Sequence, residues 1–190
     1  MNDVDSELIN KVTWKIPNAL ALIGSAAGDE WNGMTASWVT QVSMEPVLIG
    51  VGVDNKAVTH RLISEGESFS VNLWSAEDTR VFVKFSKPAV REGDTLNGRP
   101  AHPGKTGAPI FDDAVAWMDC EVRQSIDFGT HTLFAGEIVG WAALIAGCVL
   151  TGLLAGQFWL GLGEPVRFEL FSTDRATDAP GAVVQIDEHA

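Results

Sequence analysis

Over residues 32–46, small and hydroxyl-bearing side chains (Thr35, Ala36, Ser37, Thr40, Ser43) alternate with bulky ones. A Glu45-Pro46 pair then precedes the apolar run 47–53. Period-two alternation that stops at a proline and is followed by a second apolar run predicts two neighbouring strands of a sheet. A strand that gives positions to Asn, Thr and Ser loses packing, which suits it to hydrogen-bonding a flat ligand edged with heteroatoms. An exposed sheet face with Thr favoured by β-propensity accounts for the same pattern. On this segment alone the two readings stand level.

The rest of the chain divides into further short elements. Residues 19–26 form a small apolar strand, and Gly28-Asp29-Glu30 is the turn that follows it. Asp54 is placed to cap a helix running to about residue 64, with Val58 and Leu62 four apart on one face. Residues 68–74 read as a strand, and 77–85 as a second helix with Val81 and Phe85 on its inner side. Residues 94–108 carry Gly, Pro and Asn without periodicity, which predicts a long loop of the kind that serves as a lid or binding loop. The clearest strand is 115–126, where Met118, Cys120 and Val122 share one face and Asp119, Glu121 and Arg123 the other. Asp127-Phe128-Gly129-Thr130 turns it back into a strand over 131–141. Many strands with two short helices predict a mainly β (α+β) fold, an antiparallel barrel rather than a parallel sheet. Neither a G-x-G-x-x-G fingerprint nor a P-loop is present, so any nucleotide cofactor must be held another way.

Residues 138–163 carry no charged side chain and include Gly152-Leu153-Leu154-Ala155-Gly156, a length and spacing compatible with a membrane helix. The alternation entering this run, the lack of flanking Lys or Arg clusters and its repeated glycines favour buried strands joined by tight turns instead. We read no membrane span. The run is expected to be core and subunit contact. Residues 172–190 have no pattern and are expected to be a loose tail, after one domain over 1–171. A chain of 190 residues suits one domain with a full core. Its net charge of -12 disfavours nucleic acid and anionic lipid as partners. Cys120 and Cys148 fit neither a disulfide framework nor a zinc site. The acidic first seven residues lack the apolar run of a signal peptide, and the chain reads as cytoplasmic.

Five separated pieces carry a family resemblance. They are Asn32-x-Met34-Thr35-x-Ser37-Trp38, Ser43-x-x-Pro46, Val71-Asn72-Leu73, Gly107-x-Pro109, and Gly129-x-His131-x-x-Phe134-x-Gly136-Glu137. Together, over roughly residues 20–162, they resemble the flavin reductase-like, FMN-binding split-barrel family. Trp38 after the Thr-x-Ser triplet looks most like its flavoredoxin branch. The resemblance implies an antiparallel split β-barrel with flanking short helices, and a homodimer that binds FMN near the subunit interface. It also implies hydride transfer from NADH or NADPH to the flavin, with reduced flavin or electrons passed to a monooxygenase or redox-protein partner. The chain departs from the family at Glu45, where Pro is common, at Ala57, where Ser or Tyr is common, and at 157–160, which lack the usual basic residues.

Site residues follow from the same resemblance. Asn32, Met34, Thr35, Ala36 and Ser37 would meet the flavin ring edge and ribityl chain, with Trp38 stacking on or shielding the ring. Val53, Asn55, Lys56 and Thr59, at a strand-to-helix corner, would hold the phosphate with backbone N–H groups and the Lys56 ammonium. Lys87, after the second helix, corresponds to a region of the family that reaches the flavin. His131 matches the family histidine, with either a structural role or a contact to nicotinamide or flavin. No catalytic acid, base or nucleophile is expected from the protein, because a flavin carries the reactive atoms itself. A carrier without nicotinamide activity, and a flavoprotein recruited to other chemistry in a biosynthetic pathway, are the alternatives.

Overall fold

The computed structural model describes residues 6–143. The expected domain end at 171, the 172–190 tail, Cys148 and most of the uncharged run lie outside the described residues. An N-terminal helix, α1 (Ser6–Thr13), precedes four strands: β1 (Ala21–Ala27), β2 (Glu30–Ala36), β3 (Val39–Met44) and β4 (Val47–Asp54). Helix α2 (Val58–Gly66), strand β5 (Ser68–Leu73) and the short helix α3 (Arg80–Lys84) come next. Four small strands follow, β6 (Arg91–Glu92), β7 (Thr95–Leu96), β8 (Arg99–Pro103) and β9 (Pro109–Phe111), then the long hairpin β10 (Ala116–Asp127) and β11 (His131–Ala143). Among the described residues, no helix is long and apolar enough to cross a membrane.

The main sheet has seven strands in the order β2-β1-β5-β10-β11-β4-β3, every pair antiparallel. Its two edges are the consecutive strands β2 and β3, joined only by Ser37 and Trp38. Laid flat, the edges of such a sheet would lie about 29 Å apart at ~4.8 Å per strand. The three residue steps from Ala36 to Val39 span at most about 11 Å. The sheet must therefore roll up until its edges approach. They are not hydrogen-bonded to each other, so the barrel stays split, with the Ser37–Trp38 corner across its mouth.

Two apolar clusters hold this frame. Inside the roll, Ile23, Val51, Val53, Ile63, Phe69, Val71, Cys120 and Phe134 pack together. On the other side of β1, Leu22 packs with Val81, Phe85, Leu96 and Phe111, which fastens α3 and the small sheet to the barrel. The Phe85 and Phe111 rings meet edge-on at 5.1 Å, a favoured aromatic geometry. At the β10–β11 turn Gly129 adopts φ +96°, a conformation that a side chain would strain.

Four sequence expectations change. The segment 32–46 is not one strand but two, β2 and β3, bent apart at Ser37–Trp38 and placed on opposite sheet edges. Asp54 does not cap α2: the N-cap is Ala57, without a side-chain bond, and Asp54 Oδ1 instead accepts the Lys56 N–H (2.8 Å) in the turn before the helix. The second helix is limited to Arg80–Lys84. Residues 94–108 are not an open loop, because β7 and β8 lie within them as part of a four-stranded sheet, β6-β7-β8-β9.

Candidate functional site

The corner that closes the roll also opens a cavity of about 1100 Å³. Met34, Thr35, Ala36, Ser37 and Trp38 supply one part of its lining, joined by Gly52, Asp54 and His131 from β4 and β11. A second hollow of about 250 Å³ is lined by Asn32, Met34, Lys56, Thr59 and Lys87, together with Ala57, Val58 and Ser86. Met34 lines both, so the two hollows lie next to each other on either side of this residue.

Local chemistry explains the conformation at the corner. The Thr35 N–H donates to Phe85 O (3.0 Å) and its hydroxyl to Phe82 O (2.7 Å), which ties β2 to the end of α3. The Thr35 oxygen is left with lone pairs only, so it can accept but no longer donate. Among the described residues the half-buried Ser37 hydroxyl has no hydrogen-bond partner. Trp38 is 55% exposed, yet it is held in place. Its carbonyl accepts the Gly52 N–H (2.9 Å), and its ring lies against the bare Gly52, where an added Cβ would come within 3.0 Å of Cε3. The His131 ring lies 4.6 Å from the Trp38 ring, tilted by 43°.

The remaining expected site residues separate into two groups. Lys56 and Lys87 are exposed cations that share the smaller hollow with the first residues of α2. Asn32, Thr59, Asn55 and Val53 serve the frame. Buried Asn32 donates from Nδ2 to the Thr59 hydroxyl (2.8 Å) and accepts the Ala89 N–H at Oδ1 (2.7 Å). Asn55 Nδ2 donates to Asp127 Oδ1 (3.0 Å) and Gly129 O (3.2 Å), while its Oδ1 accepts from Thr132 Oγ1 (2.9 Å). Both ends of that amide are thus engaged with the β10–β11 turn. Val53 is wholly buried in the core and lines neither hollow.

His60, for which the sequence offers no partner, meets Thr132 Oγ1 at 2.9 Å. The Thr132 proton already goes to Asn55, so His60 Nε2 must be the donor in that contact. The Asn55 amide, then the Gly129 N–H, hold the Asp127 carboxyl below its ordinary range, and His60 adds to the same effect. His102 pairs with Asp112 (2.6 Å). Burial, reinforced by the neighbouring Asp119, pushes the Cys120 thiol up to about 12, so it holds no thiolate at neutral pH.

The sequence reading missed one part of the lining altogether. Asn10, Thr13, Trp14, Ile16 and Asn18 also line the large cavity. A signal was available in the apolar spacing Leu8, Ile9, Val12 of α1.

Comparison with known proteins now adds to this geometry. The family described as "Flavin reductase like domain" matches residues 14–144. The ferric-chelate reductase (NAD(P)H) of Archaeoglobus fulgidus is 32% identical over 140 residues, covering 73% of this chain and 83% of that protein. The crystal structure of an FMN-binding protein from Thermus thermophilus superposes with a TM-score of 0.60 at 27% identity, over 68% of this chain and 72% of that one. Flavoredoxin from Methanosarcina acetivorans gives 0.60 at 26%, over 68% and 70%. Some similar proteins are far longer: a putative diflavin flavoprotein A 3 of Nostoc is 30% identical over 144 residues, which is 73% of this chain and only 25% of that protein.

Proposed function

The chain belongs to the flavin reductase-like domain family, and from that premise we propose that it is an NAD(P)H-dependent flavin reductase holding FMN at the β2–β3 corner. One observation carries the reading: the large cavity at Thr35–Trp38 and His131 lies beside a smaller hollow bearing Lys56, Lys87 and the start of α2, with Met34 common to both linings. A ligand with a flat polar ring and a distant phosphate has that shape. The donor set fits, because two ammonium groups and the first N–H groups of a helix together neutralise a phosphate.

Bound FMN supplies the two-electron chemistry, and NADH or NADPH supplies the hydride. The residues bind and orient. Thr35, its proton engaged by Phe82, accepts from the ring edge, and Ser37 donates or accepts beside it. Met34 and the Ala36 backbone would line the ring, and Trp38, resting on Gly52 and His131, would shield it. Lys56, Lys87 and the Val58 and Thr59 N–H groups take the phosphate. Asn32, Val53, Asn55 and Thr59 support these groups from behind. The Trp38 indole would screen one face of a bound ring from water, which would leave the ring's other face for the hydride donor.

The active form in this reading is a homodimer. Its support is the exposed apolar edge at β3 and β4, where Val42, Met44 and Val47 stand open to solvent. Natural proteins seldom leave such an edge uncovered. The dimer works in the cytoplasm, where pyridine nucleotides are available, and hands reduced flavin or electrons to a monooxygenase or redox protein. Its flavin domain takes in residues 1–171, followed by a 172–190 tail. The similarity to flavoredoxin favours a second reading, an electron carrier that does not itself oxidise NADH. NADH oxidation with added FMN separates the two: turnover supports the reductase, and a flavin reducible by dithionite but not by NADH or NADPH supports the carrier.

A further inference from the structure

Part of the large cavity's lining comes from the N-terminal segment rather than from the sheet: Asn10 and Thr13 on α1, then Trp14, Ile16 and Asn18. Asn10 and Thr13 precede residue 14, where the family match begins, while Trp14, Ile16 and Asn18 lie at its very start. Trp14 is 85% exposed and lines the cavity, and its indole has no ring or cation contact among the described residues. Beside it, the Asn10 side-chain amide has no hydrogen-bond partner among the described residues. The Thr13 hydroxyl donates back to Asn10 O (3.1 Å), and Asn18 Nδ2 to Ile16 O (3.0 Å), so these bonds shape the segment itself. An open indole face next to an amide with both a donor and an acceptor suits a planar heteroaromatic ring with an amide-like edge.

We infer that the 10–18 segment is the docking wall for the ring of the second reactant, with Trp14 stacking on that ring and Asn10 reading its edge. The inference rests on the flavin reductase reading, which accounts for the first ring in the same cavity. Two reactants carry the required chemistry, the nicotinamide of the hydride donor and a free flavin arriving as acceptor.

The test compares the full chain with its Trp14→Ala, Trp14→Phe and Asn10→Ala variants, each with the FMN site saturated. Titration calorimetry measures the affinity for NAD+ and for riboflavin, and steady-state kinetics give KM and kcat for NADH. Trp14→Ala weakens binding of at least one of the two probes by about three- to tenfold, the size of one aromatic contact. Trp14→Phe recovers most of the loss, and Asn10→Ala gives a smaller loss on the same probe. A loss confined to NAD+, with KM for NADH rising and kcat changing less, assigns the wall to nicotinamide; a loss confined to riboflavin assigns it to free flavin. Affinities for both probes within twofold of the parent overturn the inference. So does a Trp14→Ala variant that only shifts the monomer–dimer equilibrium, since Trp14 would then be covered by a second copy. A parent chain that binds no FMN removes the flavin reading and this inference together.

Discussion

Two clusters in this barrel each set hydroxyl or amide side chains on sheet strands and differ in how far those groups are satisfied. Behind β5, the side chains of Asn72 and Ser70 have their donors and acceptors engaged. Asn72 Nδ2 donates to Leu22 O (3.2 Å) and to Ser70 Oγ (2.9 Å), its Oδ1 accepts the Phe111 N–H (3.0 Å), and Ser70 Oγ donates to Pro109 O (2.6 Å). At the β2–β3 corner, the Ser37 hydroxyl has no partner among the described residues, Thr35 keeps its lone pairs, and Trp38 stands half in solvent. A fully satisfied buried network specifies structure, whereas polar groups left unpaired at the edge of a cavity are available to a ligand. Asn72 and Pro109 both belong to the motif pieces that carry the family resemblance. The first cluster is why: it fastens β9, and with it the small sheet, to the barrel.

The largest expected effect breaks the satisfied cluster. Asn72→Ala strands the buried Phe111 N–H and removes two donated bonds, and should destabilise the protein by about 2–4 kcal/mol in urea unfolding. The FMN affinity of the fraction that remains folded should match the parent. Next comes the open cluster. Changing Thr35 and Ser37 together to Val keeps β-propensity and deletes both polar contacts, at about 1 kcal/mol each, so FMN affinity should fall by roughly thirtyfold. An unchanged affinity would place the flavin elsewhere.

Gly52→Ala sharpens the comparison without touching a polar group. Its added Cβ lies 3.0 Å from Trp38 Cε3 and 3.2 Å from Trp38 Cβ, so the indole must shift. FMN affinity should drop by about three- to tenfold, the size of one aromatic contact. The smallest effect is electrostatic. Asn55→Ala removes the strongest contact holding the Asp127 carboxyl low, so its pKa should rise toward the ordinary value in a carboxyl-carbon NMR titration. A depressed carboxyl stabilises the fold above its unfolded pKa and loses that contribution as pH falls through the folded one. The acid limb of the variant's stability curve should therefore lose the part of the Asp127 contribution that Asn55 supplies, while the Gly129 N–H and His60 keep the rest.

Long-period features of this fold were legible in the sequence. Strand β10 shows its alternation from Met118 to Arg123 because Met118, Cys120 and Val122 face the core, while on the other face Arg123 is exposed and the buried Asp119 is bonded by Thr106. The hairpin glycine at 129 marks the one position there that needs a positive φ. What was not legible has local reasons. No Gly or Pro marks the bend at Ser37–Trp38; it is imposed by pairing, since β2 registers on β1 and β3 on β4. Strands of two to five residues, such as β7 and β8, are too short to show a period. Asn55 looked like a phosphate ligand from its place before a helix, but its partners Asp127 and Thr132 lie more than seventy residues away, where no local pattern reaches. The Trp14 wall was passed over because one exposed tryptophan beside a short helix carries no motif.

The central claim is that the unpaired corner holds a flavin that NAD(P)H reduces. The most direct measurement is an anaerobic titration of the FMN-loaded protein with NADH, and then with NADPH, following the flavin absorption band. The account predicts that the band bleaches in proportion to added nucleotide and reaches its end point near one equivalent per bound FMN. A protein that retains no FMN after desalting and gains no affinity for it on titration would contradict the claim, as would a bound flavin that neither nucleotide bleaches.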